Sequence, residues 1–189
     1  ETYRPRLSAG AATQVDERLQ SAQAKAKERF RAGLAGVLPA IAEPLDQGKF
    51  DEAWRLAGAV PDRLKSLPEA MATSLQKEYE TTAVALATNA AVPGETAFPV
   101  PEAKAALLRQ FYGLRQLLLE FQAQPGSLSL GAEIQAVQAR LPELAQPNPD
   151  LLKYVAGKLA ESLQAKAKDA QAQFEFHKPK IQAMRGPKP

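Results

Sequence analysis

Residues 101–124, PEAKAALLRQFYGLRQLLLEFQAQ, decide how the rest of the chain is read. Leu107, Phe111, Leu114, Leu118 and Phe121 recur at alternating spacings of four and three, which is the seam of a packed helix. Leu108, Leu117 and Leu119 widen that seam on both sides. One neighbour cannot cover so wide a stripe, so the spacing predicts a central helix. Pro101 suits the first turn, where a backbone N–H has no intrahelical acceptor, and Gln124-Pro125-Gly126 ends the helix. Core packing accounts for the whole stripe without a cofactor.

Upstream, Thr13 with Asp16 reads as a helix start, a side-chain oxygen accepting an early N–H. Val15, Leu19, Ala22, Ala26, Phe30, Leu34 and Val37 then mark one face of a helix over about 14–37, opposite Arg18, Lys25, Lys27, Glu28 and Arg31. Gly33 and Gly36 weaken its end. Pro39 and Pro44 predict a broken region, because each removes a helical donor and crowds the preceding turn. A turn at 46–49 leads into a short helix with Phe50, Ala53, Trp54 and Ala57 inward, ended by Val60-Pro61. The words GKFDEAWRLAG fit one corner of a tetratricopeptide hairpin, but no second copy follows at the required period.

Ser66-Leu-Pro-Glu69 has the capping-box pattern. Leu67, Met71, Leu75, Tyr79, Leu86 and Ala90 continue at helical spacing, giving a helix over about 67–89. Residues 91–100, AVPGETAFPV, read as an exposed linker. Phe98, between prolines, is either a plug on the bundle or an anchor for a partner. Beyond the central helix, 126–131 reads as a loop and 132–141 as a shorter helix with Ile134, Val137 and Leu141 inward. Asn148 caps a last helix with Pro149 in its first turn. Leu152, Val155, Leu159, Leu163, Ala167, Ala170 and Phe174 mark its inner face, and Lys178-Pro179 disfavours continuation past about 176.

The expected fold is all-α, a four-helix bundle with two shorter helical insertions and extended termini. An extended N-terminal arm occupies 1–12, the bundle 13–177, and a basic C-terminal tail 178–189. The 189-residue length fits one core, and a composition rich in Ala, Leu and Gln favours helix over sheet.

The net charge of +3 is unevenly spread. Residues 1–31 hold seven basic and four acidic residues, a balance of +3. Residues 32–152 hold nine and fourteen, a balance of −5. Residues 153–189 hold eight and three, a balance of +5. Basic ends around an acidic middle point to docking on an acidic surface, with solvated helix faces and a tail as the plain alternative. The partner-binding candidates are Tyr3, Arg4, Arg6, Phe98, Lys178, Lys180, Arg185 and Lys188.

Chemistry leaves few traces. There is no cysteine and a single histidine, His177. The Glu-x-x-His pair of di-iron bundles, Walker-type phosphate loops and dinucleotide glycine motifs are all missing. No apolar run reaches the roughly 20 residues that span a bilayer. The expectation is a non-catalytic protein with no cofactor, no metal and no small-molecule substrate. Its partner would be a larger protein complex, free or membrane-associated, with an acidic docking surface. A nucleic-acid-binding module using the basic ends is the alternative, although the basic clusters are interrupted by acids and lack stacking aromatics. A carrier of a small ligand inside the bundle is a third reading.

One stretch has a family likeness. Pro39-Ala-Ile41, then Gly48-Lys-Phe50-Asp-Glu-Ala-Trp54-Arg-Leu56, Pro61-Asp-Arg-Leu64-Lys and Met71-Ala-Thr-Ser-Leu75 follow in order. This resembles PsbQ-type extrinsic proteins of photosystem II over residues 38–75 and in general layout. The resemblance implies a basic, helical, non-enzymatic subunit in the thylakoid lumen that stabilises a membrane-embedded complex from its soluble side. It implies no catalytic residues. Such subunits are made with a cleaved targeting sequence, which fits a chain beginning at Glu1; a chain cut from a longer sequence fits equally. The second half of the chain carries no matching signature.

Overall fold

The computed structural model of the chain describes residues 9–123, 130–141, 144 and 148–184. They form α1 (Ala9–Leu34), α2 (Val37–Asp46), α3 (Phe50–Lys65), α4 (Glu69–Ala87), α5 (Ala105–Ala123), α6 (Leu130–Arg140) and α7 (Pro149–Met184), with a 3-10 turn at Glu102–Lys104 before α5. No strand occurs among the described residues, so the all-α class stands.

The helix α5 is central. It packs against α2, α4, α6 and α7. Leu107, Phe111, Leu114, Leu118 and Phe121 are all buried, as are Leu108 and Leu117. Leu119 is not: it lies 42 % exposed, so the stripe is narrower on that side than expected. Pro101 stands outside α5, as the residue before the 3-10 turn.

The packing does not reduce to four matched long helices. α3 contacts α4, α4 contacts α5, and α5 contacts α7. Phe50 and Trp54 of α3 then meet Tyr154 of α7, with ring centroids 5.5 and 6.4 Å apart, and close the ring. The short α2 fills this ring's flank with Leu38, Ile41, Ala42 and Leu45, all essentially inaccessible. α1 is peripheral: Val15 and Leu19, expected in the core, are about half exposed. On α7, Val155 and Leu159 are buried as expected, Leu152 and Leu163 are only half-buried, and Leu151 takes the first core position.

Prolines explain most boundary differences. Pro39 is the third residue of α2, where the backbone N–H has no intrahelical acceptor anyway. Pro44 lies inside α2 but is buried with Ile41 and Leu45, so apolar burial offsets its lost hydrogen bond. The expected broken region is therefore a helix. α3 likewise runs through Pro61 to Lys65 rather than ending there. A proline at 61 deprives the Ala57 carbonyl of its intrahelical donor. The Tyr79 hydroxyl of α4 donates to that carbonyl at 3.3 Å, which removes the penalty of a buried unsatisfied acceptor. α7 continues through Pro179 to Met184; the surrounding Ala, Gln, Glu and Lys favour helix on both sides. At the other end, the Ala-rich segment starts α1 at Ala9, ahead of Thr13 and inside the expected arm.

The capping box does not form. Ser66 Oγ donates to the Arg63 carbonyl at 2.7 Å instead, finishing α3. α4 starts after Pro68, whose carbonyl accepts from Met71 and Ala72. Asn148 does cap α7, its Oδ1 accepting from Asp150 N at 3.0 Å and Leu151 N at 3.1 Å. Gly48 turns the chain between α2 and α3 with φ of +72°. Gly113 permits close packing of the α6–α7 connection: a Cβ there would lie 2.7 Å from Leu144 Cδ2 and 3.4 Å from the Ala87 carbonyl.

Two measurements follow from this packing. Leu114→Ala and Leu118→Ala should each lose about 2–5 kcal/mol in urea unfolding, as buried truncations do, whereas Leu119→Ala should lose less than about 0.5 kcal/mol. Tyr79→Phe should cost about 1–3 kcal/mol by orphaning the Ala57 carbonyl. In a Pro61→Ala background the carbonyl regains a backbone donor, so the same change should cost about 1 kcal/mol less; strict additivity in that double-mutant cycle would show that the two residues are not coupled.

Candidate docking surface

The residues expected to bind a partner fall into three groups. Tyr3, Arg4, Arg6, Arg185 and Lys188 lie outside the described residues, and of Lys180 the backbone belongs to α7. Lys178 is exposed on the last turns of α7, with Nζ 3.1 Å from Glu175 Oε2. Phe98 is a correction. It is wholly buried, its ring tilted against that of Tyr79 with centroids 5.1 Å apart, so it plugs the core and offers nothing to an external partner. The linker is correspondingly not a free loop. Ala97 is buried with Phe98, the Ala97 amide donates to Glu78 Oε1, and Thr96 Oγ1 lies 3.3 Å from Thr82 Oγ1.

Glu78 ties three segments together. Besides the linker amide, its carboxylate accepts from Arg31 Nη2 at 3.2 and 3.4 Å. Arg31 ends α1, so this half-buried pair pins α1 to the middle of α4. Gln110 is the second polar tie. It is buried, donating through Nε2 to the carbonyls of Leu144 (2.9 Å) and Asn148 (2.8 Å) and accepting from Asn148 N at 2.9 Å. Both are structural, and neither was singled out by sequence. A polar residue within an otherwise apolar seam, as Gln110 is, was the available signal.

Clefts open on the surface among the described residues. One, about 750 Å³, lies between α1 and the start of α4, walled by Phe30, Ala26, Pro68, Met71 and Leu75. A second, about 320 Å³, is lined by Pro61, Val84, Tyr112, Arg115 and Leu119. A third, about 330 Å³, holds Trp54, Tyr154, Asp51 and Lys158. Cations cover aromatic faces along the α3–α5–α7 side: Arg115 over Trp54 at 5.8 Å, Lys158 over Tyr154 at 5.7 Å, and Lys166 over Phe121 at 4.4 Å. These contacts hold the cations against the fold, although the buried Arg115 Nε has no hydrogen-bond partner among the described residues. Among the described residues no group of three His, Cys, Asp or Glu converges as a metal site would require. No helix among them is long and apolar enough to cross a membrane.

The tyrosines show perturbed acidity without a catalytic setting. Tyr79 commits its proton to the Ala57 carbonyl, so Tyr112 donates to Tyr79 across 2.9 Å. Burial raises the pKa of both above the ordinary phenol range, Tyr112 the more strongly because Tyr79 also opposes its ionisation. Tyr154 is pushed up by burial and then by its bond to Asp51, 2.6 Å away.

What the body leaves uncovered is distinctive. Seven large apolar side chains are exposed among the described residues, and five of them, Val15, Leu19, Phe30, Phe174 and Phe176, are on α1 and the distal part of α7. Phe176 is 72 % exposed and Phe174 57 %. The other two, Val84 and Leu119, flank the second cleft. Comparison with protein families, with curated proteins and with solved structures finds no match to the chain.

The raised pKa values of Tyr79 and Tyr112 have a consequence for stability whose sign can be measured. The folded state favours the protonated phenols, so their contribution is complete below pH of about 10 and is lost as pH rises toward the raised values. Urea midpoints between pH of about 8 and about 11 should therefore fall more for the natural chain than for a Tyr79→Phe/Tyr112→Phe variant. Equal falls would place the alkaline loss elsewhere.

Proposed function

We propose that this chain is a non-catalytic helical subunit or stabilising factor that docks onto a larger complex through its two terminal helices. The ring of α3, α4, α5 and α7 is read as a four-helix bundle that serves as the scaffold. The observation that carries the proposal is the placement of exposed apolar side chains: most lie on α1 and distal α7, the segments that also hold the chain's excess positive charge. Isolated exposed leucines need no explanation, but an apolar stripe rimmed by charge on an otherwise uncovered helix is an interaction surface. The partner surface would be acidic.

The narrower reading is a PsbQ-like extrinsic subunit of photosystem II in the thylakoid lumen. It rests on the resemblance over residues 38–75, a stretch that corresponds to α2, α3 and the start of α4. The second reading, nucleic-acid binding, is favoured by the same basic ends. It requires a steep loss of affinity with salt on mixed DNA and RNA and indifference to Val15, Leu19, Phe174 and Phe176.

The test is a dissociation of stability from association. Removing residues 1–19 and 171–189, which takes away Val15, Leu19, Phe174 and Phe176 together with the basic ends, should shift the melting temperature by no more than about 2 °C, yet weaken incorporation into the native complex, with a smaller difference at higher salt, where the charge attraction is screened. A large drop in melting temperature would make the ends part of the core. Unchanged incorporation would remove the docking role.

A further inference from the structure

The aromatic side chains of the core form a continuous run from α4 to α7. Tyr79 of α4 lies against Tyr112 of α5, with ring centroids 6.4 Å apart. Tyr112 meets Phe111 at 5.3 Å, Phe111 meets Trp54 of α3 at 5.7 Å, and Trp54 meets Tyr154 of α7 at 6.4 Å. Three of the chain's four tyrosines and its one tryptophan thus share one run of ring contacts. The run opens to solvent at one end. Tyr79 and Tyr112 are buried, whereas Trp54 and Tyr154 are half-buried and both line the third cleft. Indole and phenol give up one electron where phenylalanine does not, and the chain has no cysteine to compete with them.

A phenol that loses an electron becomes a strong acid, so the loss is easy only where its proton has a base to go to. Tyr154 has one. Its hydroxyl donates to Asp51 Oδ1 at 2.6 Å, the short distance of a bond to a carboxylate and within reach of direct proton transfer. Asp51 is exposed, so water can take the proton on. The buried pair has no such base. Tyr112 donates to Tyr79, and Tyr79 to the Ala57 carbonyl, and neither a phenol nor an amide carbonyl is a base for that proton. Charge runs the same way. Asp51 and Glu161, both negative, act on the Tyr154 hydroxyl. Arg115, positive, acts on Tyr79 and Tyr112 and also covers Trp54 at 5.8 Å. Negative charge stabilises a site that has lost an electron, and positive charge destabilises it. Lys158 over the Tyr154 ring and Arg55 in the same cleft oppose this order. Lys158 is in turn paired with Glu161 at 3.5 Å, and Asp51, at hydrogen-bond distance, outweighs both cations.

We propose that Tyr154, with Asp51 as its proton acceptor, is a redox site where one-electron oxidation of this protein comes to rest, and that Trp54 passes the oxidation to it. The co-reactant is a small diffusing radical that enters the third cleft. It takes one electron from the Trp54 indole and is reduced to its anion. The Trp54 radical cation then takes one electron from Tyr154, and the Tyr154 hydroxyl proton passes to Asp51. Trp54 is restored, Tyr154 is left as a neutral phenoxyl radical, and Asp51 as a carboxylic acid that returns its proton to water. The radical thus ends at the surface, within reach of a soluble electron donor. Tyr79, which ties α4 to the Ala57 carbonyl of α3, is spared. This activity is independent of the docking function.

Pulse radiolysis of the full chain in azide solution tests this, because the azidyl radical oxidises indole ahead of phenol. Tyr3→Phe serves as the background, so that Tyr79, Tyr112 and Tyr154 are the tyrosines present. The Trp54 radical should decay as a phenoxyl radical grows in, at one first-order rate that does not change with protein concentration. Adding Tyr154→Phe, which leaves both core tyrosines in place, should lower the rate and the phenoxyl yield by about tenfold or more. Adding Asp51→Asn instead should slow the transfer by about fivefold or more. Both variants are at half-buried or exposed positions and should keep the melting temperature within about 2 °C of the background. A phenoxyl yield that survives Tyr154→Phe puts the resting site on the core pair and overturns the inference. So does an unchanged rate in Asp51→Asn, because the proton then goes elsewhere. So does a rate proportional to protein concentration, which marks exchange between molecules, or a Trp54 radical that persists in the background chain without forming phenoxyl.

Discussion

The structure depends on one constraint: α5 carries more apolar surface than any single neighbour can cover. Its buried residues from Leu107 to Phe121 spread round much of its circumference, so it must be enclosed by several helices. α2, α4, α6 and α7 supply that enclosure, and α3 closes the ring through Trp54, which meets Phe111 edge-on at 5.7 Å. Burial of this surface is the dominant favourable term. The chain order follows from it. A central helix needs partners from both earlier and later sequence, and α5 has α2 and α4 before it and α6 and α7 after it.

Enclosing α5 brings polar groups out of water, and several of them find partners where the backbone has lost its own, while the Nε atoms of Arg31 and Arg115 stay without one among the described residues. Pro61 would leave the Ala57 carbonyl without a donor, but Tyr79 reaches it and Tyr112 in turn reaches Tyr79. Gln110, in a seam otherwise apolar, satisfies two carbonyls and one amide of the segment leading into α7. Glu78 serves the linker and Arg31 together. Each group sits where the backbone has lost a regular partner through a proline or a chain connection. That is where buried polar side chains are most useful.

Much of this was legible in sequence, and the misses have physical causes. The α5 stripe, the Asn148 cap and the helical class follow from local periodicity and capping chemistry, which act within a few residues. The continuations through Pro44 and Pro61 were not legible, because they depend on buried packing and on a tyrosine 18 residues further along. The first core position of α7 was hidden because Leu151 and Leu152 are adjacent and periodicity alone does not choose between them. The candidate surface was legible as charge at the ends. Its form was not: the apolar stripe of α1 was read as core because an amphipathic face records that something covers it, not what does. For Phe98 sequence left two readings, plug or partner anchor, and tertiary packing takes the first by drawing the ring fully inside.

The resulting account is of a scaffold with two kinds of helical segment: those that enclose α5, and α1 with the distal part of α7, whose large apolar side chains are uncovered. Stability is then expected to be strongly graded along the chain. Hydrogen exchange of the isolated protein followed residue by residue tests this most directly. The account predicts that amides of residues 108–121 exchange only through global unfolding, while those of residues 13–19 and 170–184 exchange through local opening and orders of magnitude faster. End segments protected to the same degree as α5, or an α5 that exchanges as fast as they do, would contradict it.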